Sequence, residues 1–254
     1  MRIIFNLFLL LFALSTSISY AETIKITNGE WPPYLSKNYK HAGVASHIVT
    51  EAFKAEGIDV EYGFFPWARS LNQAKDGDPW AASAIWSKNK EREADFLYSD
   101  PVFSLKTVFF HKKDITVDWK DLSDLSKYKI GATKSYNYGE EFKVLEDNKT
   151  LKVQRVPKDL NNFKKLLAGR IDLFPVEMQV GYELITNELT PAKAAMLTNT
   201  VPFHEKLYHL IISKAHPKAQ FYLDSFNKGL AKLKASGTYQ RMLNDDIEGK
   251  YKIK

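Results

Sequence analysis

The sequence predicts an α/β protein built as two lobes, and three observations lead there. Strand-like and helix-like segments alternate along most of the chain, the pattern of parallel sheets covered by helices. The alternation breaks once, where the apolar run Val102 to Phe110 leads into the polar HKKDITVDWKD, and then restarts. Near the C-terminus, LYHLIIS is placed to carry the chain back. Two lobes joined by two extended crossovers are the economical arrangement, with the intervening cleft as the usual ligand site. A length of 254 residues accommodates one large or two small domains.

The elements follow in order. TIKITN (23–28) reads as a strand. VASHIVTEAFKAEG (44–57) has Val44, Ile48, Ala52 and Phe53 on one helical face and stops at Gly57. IDVEYGFF (58–65) is a strand. PWARSLNQAKDG (66–77) enters a helix at proline and leaves it at glycine. WAASAIW (80–86) is a strand. After a short helix near Leu122 to Leu125, KYKIGAT (127–133) is a strand and SYNYGEEFKVLED (135–147) a helix. LKVQRVP (151–157) is a strand, and LNNFKKLLAGR (160–170) spaces Leu160, Phe163 and Leu167 as a helix does. IDLFPV (171–176) and EKLYHLIISK (205–214) are strands. PKAQFYLDSFNKGLAKLKASG (217–237) is a long amphipathic helix.

The first 21 residues read as a targeting segment. Arg2 supplies the positive end, Ile3 to Leu14 is apolar apart from Asn6, and Ser19-Tyr20-Ala21 is a small-x-small cleavage pattern. The apolar run is shorter than the roughly 20 residues of a membrane span. Cleavage after Ala21 is expected, with export to a periplasm. No cysteine stands at the cleavage site to take a lipid anchor. The chain has no cysteine at all, so disulfides, thiolate chemistry and cysteine metal sites are excluded. The formal charge of +6 falls to +5 once Arg2 is removed. Its lysines are dispersed, without the basic aromatic stripe of a nucleic-acid binder.

Four motifs carry a resemblance: NGEWPPY (28–34), SKNKEREADFLYSDPVF (87–103), GRID (169–172) and the C-terminal ISKAHPKAQFYLDSFNKGLAKLKASGTYQRM (212–242). In this order they resemble the family 3 extracellular solute-binding proteins, periplasmic binders of polar amino acids and related solutes. The resemblance covers essentially all of the mature chain. It implies the type II periplasmic-binding-protein fold. Residues 22–111 would open the first lobe, 112–206 form the second, and 207–254 return to the first. It also implies hinge closure around a small amino acid or related carboxylate. Delivery would be to the membrane permease of an ATP-driven (ABC-type) importer, or ligand sensing to a membrane receptor. A monomer without cofactor or metal is expected.

The resemblance assigns residues. Arg92 stands where the family's guanidinium holds the ligand carboxylate, a role its planar fork suits; pairing with Glu91 or Glu93 is the competing reading. Ser87 stands where a hydroxyl bonds the same carboxylate, or else it caps a helix. Ile85 and Trp86 depart from the small or hydroxyl residues common there. Trp31 matches an aromatic that stacks on ligands, with Tyr34 near it. Trp67 and Arg69, after Pro66, are candidates on the same edge. Ser135 and Tyr136 are expected to open a helix whose amides face an anionic group. Glu177 matches the acid that receives the ligand's ammonium, in place of the commoner Asp. Asp172 reads as structural.

Enzymatic readings find little footing. Neither His-Glu-x-x-His nor Gly-x-Ser-x-Gly is present. His41 and His47, six apart, do not share a helical face, and no metal is expected. The resembling fold also supports dehydratases and lyases that use a cleft carboxylate, for which Glu177 or Glu30 would be available, but no motif demands that chemistry.

Overall fold

The computed structural model describes residues 22–134 and 136–253. The targeting segment (1–21) and Ser135 lie outside the described residues. The first lobe begins with β1 (Glu22–Asn28), α1 (Val44–Lys54), β2 (Ile58–Phe64), α2 (Trp67–Lys75), β3 (Ala82–Ser87), the one-turn α3 (Lys90–Glu93) and β4 (Phe96–Tyr98). The long β5 (Phe103–Lys112) crosses over. The second lobe holds β6 (Lys129–Thr133), α4 (Glu140–Asp147), β7 (Lys152–Val156), α5 (Asp159–Leu167), β8 (Phe174–Glu177), α6 (Met178–Glu188), α7 (Pro191–Ala194) and β9 (Leu197–Asn199). The equally long β10 (His204–Ser213) returns, and α8 (Ala219–Ala235) and α9 (Thr238–Ile247) pack on the first lobe.

β5 and β10 make the two-lobed plan. The main sheet runs β2-β1-β3-β10-β5-β8, with β4 on β10 and β9 on β5. β1 pairs in parallel with β2 and β3. The first half of β5 pairs antiparallel with β10, and its second half with β8 and β9 in the other lobe. β10 likewise reaches back to β3 and β4. β6 and β7 form a separate parallel pair, and a bridge from Ile130 to Leu173 ties it to the chain entering β8. The expected boundaries at 111/112 and 206/207 fall within these two crossover strands.

Strand alternation also divides the core. Neighbouring residues of β5 point to opposite faces. Phe110 packs with Phe163, 5.3 Å between rings, while Phe109 stacks on Phe203 at 4.2 Å among Leu122, Leu125 and Ile130. In the first lobe, α1 and α8 lie close enough that Gly229 is required, because a Cβ there would meet the Ala52 carbonyl. Phe53 and Phe226 fill the space beside it, 5.3 Å apart.

The structure departs from the sequence expectation in three places. The helix expected from 135 begins at Glu140. Arg155 explains the delay: its Nη1 donates to the carbonyls of Thr133 and Tyr136 at 2.8 and 3.1 Å, drawing them away from helical partners. Gly139, at φ +104°, then makes the entry. The Tyr136 amide, which donates to the Thr133 carbonyl at 3.3 Å, therefore does not open a helix. α6, α7, β4 and β9 were not anticipated. The long C-terminal helix stops before Gly237 (φ +73°) as expected, but a further helix, α9, follows it.

Candidate functional site

A cavity of about 720 Å³ lies between the lobes. The first lobe contributes Trp31, Trp67, Ile85, Trp86, Ser87 and Arg92 among others; the second contributes Tyr136, Asp159 and Glu177; the returning strand adds Lys206 and Tyr208. Six sequence candidates therefore meet at one cavity: Trp31, Trp67, Ser87, Arg92, Tyr136 and Glu177.

Trp31 is positioned by a tight turn after β1, with backbone bonds of 2.8 and 3.1 Å to Leu35. Its ring lies 5.1 Å from Tyr208 and 5.2 Å from Tyr34. Tyr34 itself is not at the cavity. It is buried behind Trp31 against Phe103, because the turn folds its side chain back into the core. Trp67 opens α2 and donates from Nε1 to the Glu30 carbonyl at 3.2 Å. Gly29 permits this, since a Cβ there would lie 2.6 Å from the indole. Trp67, Ala68, Leu71 and Asn72 share the helical face toward the cavity. Arg69 lies off that face and is exposed to solvent, which removes it from the site.

Arg92 is held in place by two contacts. Nη1 donates to the Ser87 carbonyl at 2.8 Å, and the guanidinium lies 4.7 Å from the Trp86 ring centroid. Trp86 is braced in turn by Trp67, edge to face at 5.1 Å, and by its Nε1 bond to Ser83 Oγ at 2.9 Å. Among the described residues Arg92 makes no ion pair with Glu91 or Glu93. Ser87 does not cap α3; Asn89 does, accepting from the amides of Glu91 and Arg92 at 2.7 and 3.3 Å. Ile85 has φ +53°. A β-branched residue in the left-handed region costs on the order of 1–3 kcal/mol. The β3–β10 register shifts there, re-aiming the strand end that carries Trp86 and Ser87.

The opposite wall carries two carboxylates, Glu177 and Asp159, alongside Lys134, Lys158 and Lys206. Glu177 ends β8, 3% exposed, and accepts a hydrogen bond from Tyr208 Oη. Burial and the Glu177 charge hold the Tyr208 phenol well above its usual range, so it remains a donor. Asp159, first residue of α5, accepts from Thr133 Oγ1 and, at 3.2 Å, from Tyr136 Oη. Burial, opposed by the Thr133 bond and reinforced by the Glu177 charge, pushes its carboxyl up to about 6. Lys206 is buried; its Nζ donates to the Asn137 carbonyl and lies 5.4 Å from the Tyr138 ring. Burial lowers the Lys206 pKa, and Glu177 opposes that fall.

Sequence reasoning missed Asp159, Lys206 and Tyr208. The last two did leave a signal, since alternate residues of a strand share a face and two polar groups recur there at period two. Asp159 left none. The histidine argument also needs correction. His41 is not helical (φ +54°), and its ring stacks on His47 at 4.0 Å, with Tyr251 Oη 2.7 Å from His47 Nδ1. Among the described residues no group of three or more His, Cys, Asp or Glu side chains is arranged to hold a metal, and no helix is long and apolar enough to cross a membrane.

A cation from one lobe, a buried carboxylate from the other and aromatic walls suit a small amphoteric molecule. Comparison with known proteins follows the same line. The sequence profile of the bacterial extracellular solute-binding proteins, family 3, matches residues 24–245. No curated protein sequence matches the chain. A histidine kinase sensor domain similar to periplasmic binding proteins superposes with a TM-score of 0.72 at 20% identity, covering 89% of this chain and 96% of the other. An ancestral arginine-binding protein bound to arginine gives 0.72 at 20% identity, with 88% and 97% covered. An amino acid ABC transporter substrate-binding protein from Streptococcus pneumoniae, bound to L-arginine, gives 0.70 at 17% identity, with 91% and 97% covered.

Proposed function

The chain belongs to the bacterial extracellular solute-binding proteins, family 3, and on that premise we propose that it captures an amino acid or related carboxylate by closing its lobes. One observation carries the reading: Arg92 and Glu177, of opposite charge and from opposite lobes, line a single cavity. The ligand carboxylate meets Arg92, its ammonium meets Glu177 and Tyr208, and its body lies among Trp31, Trp67 and Trp86. Because the site is complete only when both lobes contribute, ligand shifts the open–closed equilibrium toward closure. The lobes are assigned as 22–111 with 207–254, and 112–206. Binding proceeds without turnover, and the bound form is handed to an ABC-type importer in the periplasm after export and cleavage behind Ala21. A receptor-linked sensing module is the second reading, favoured by the likeness to the kinase sensor domain.

A thermal-shift screen of the chain from Glu22 against amino acids and small carboxylates tests the proposal. A ligand at about 100 times its Kd adds roughly 2.7 kcal/mol, or about 5–10 °C for a chain of this size. A screen in which only uncharged sugars shift the melting temperature, or in which the best ligand is recovered chemically altered, refutes it.

A further inference from the structure

Direct side-chain hydrogen bonds and ion pairs between the body of one lobe and the body of the other are few. Among the described residues outside the crossover strands β5 and β10, they converge on one carboxylate. Glu183 lies on α6 in the second lobe, its side chain about 10% exposed. It accepts from Tyr39 Oη at 2.7 Å and from Lys252 Nζ at 2.9 Å, both belonging to the first lobe. Asn187, one turn further along α6, donates to the same Oε1 at 2.7 Å and holds the carboxylate in position.

The two donors form a single block. Tyr39 and Lys252 are joined by a backbone bridge, and the Lys40 amide donates to the Tyr251 carbonyl at 2.8 Å. The Tyr251 hydroxyl lies 2.7 Å from His47 on α1, which anchors the C-terminal segment to the first lobe. Burial pushes the Glu183 carboxyl upward, yet Tyr39, Lys252 and Asn187 together hold it below the ordinary carboxylate range. None of Glu183, Tyr39 or Lys252 lines the cavity.

We propose that Glu183 is an interlobe latch, a positioning residue that sets ligand affinity through the closure equilibrium without touching the ligand. The inference rests on the capture reading above. Apparent affinity scales with the fraction of molecules in the binding-competent arrangement, so loosening the latch weakens binding at an unaltered site. Bonds to charged groups are among the stronger ones, and the partial exposure of Lys252 moderates its share.

The test needs no ligand. The chain lacks cysteine, so Asp76→Cys and Lys164→Cys, exposed positions on the first and second lobes, give specific spin-label sites. Distances are measured by double electron–electron resonance with the latch intact and with Tyr39→Phe and Lys252→Met combined. The expected result is a roughly tenfold fall in the ratio of short to long interlobe distances, at a melting temperature within a few degrees. Lys252→Arg, alone with Tyr39 retained, restores the short distance. An unchanged distribution, or a wild-type chain found only at the long distance, overturns the latch. A failed ligand screen instead overturns the capture reading and leaves this measurement readable. Where the screen supplies a ligand, its Kd rises about tenfold in the double variant.

Discussion

Replacing Arg92 with alanine removes the first lobe's cation from the cavity while leaving its scaffold. The guanidinium is half-buried, makes one hydrogen bond to the Ser87 carbonyl and covers one face of Trp86. Its remaining N–H groups are the ones available to a ligand carboxylate. Charge-assisted hydrogen bonds contribute about 1.5–3 kcal/mol. Leaving one member of a buried pair without its partner costs about 3–5 kcal/mol. Lys206 does not substitute, because its Nζ is held on the other wall, against the Asn137 carbonyl and the Tyr138 ring, and offers no planar fork. At about 1.4 kcal/mol per tenfold, Arg92→Ala should weaken binding by at least about a hundredfold. Arg92→Lys should recover little, since a point charge cannot make the planar double contact. The loss of the Trp86 contact, about 0.5–1 kcal/mol, should lower the melting temperature by only about 1–4 °C. Calorimetric titration of wild type and both variants with the strongest screened ligand is the assay. Near-wild-type affinity in a folded Arg92→Ala protein would refute the reasoning and return Arg92 to an ordinary surface charge.

Three further outcomes are expected. Asp159 has a folded-state pKa raised to about 6. The folded form therefore holds its proton more tightly than the unfolded chain, and this carboxyl's contribution to stability falls as pH rises from about 4 to about 6. Asp159→Asn should gain melting temperature relative to wild type across that window; parallel curves would show that Asp159 titrates normally. Gly229→Ala forces a methyl against the Ala52 carbonyl, an overpacking expected to cost about 1–3 kcal/mol, read as a lower midpoint in urea denaturation. Intact mass of the exported protein should correspond to a chain starting at Glu22, and a product starting at Met1 would exclude the cleavage proposed after Ala21.

The resemblance pointed to Trp31, Arg92 and Glu177, and all three line the cavity, because each sits at or within a few residues of the end of a strand whose apolar pattern is plain. Tyr34 and Arg69 show where local reading stops. A three-residue turn between Trp31 and Leu35 and a helical rotation of about 100° per residue decide whether a side chain faces a cleft or turns from it, and adjacency in sequence does not encode that choice. Asp159 offered no local signal; its role comes from Thr133, Tyr136 and Glu177, which are distant in sequence.

The alternation of strand and helix, the break after Phe110 and the returning apolar strand were enough to specify an α/β chain of two lobes. Periodicity is a local property, written in residues a few positions apart. What only the tertiary structure decided is how charges from far-separated segments meet. Arg92 and Glu177 face one cavity across 85 positions of chain, and Tyr39, Glu183 and Lys252 converge across more than 200. Pairings of that range follow from crossover geometry, because β5 and β10 bring two lobes together and the sequence between them carries no period that measures the distance.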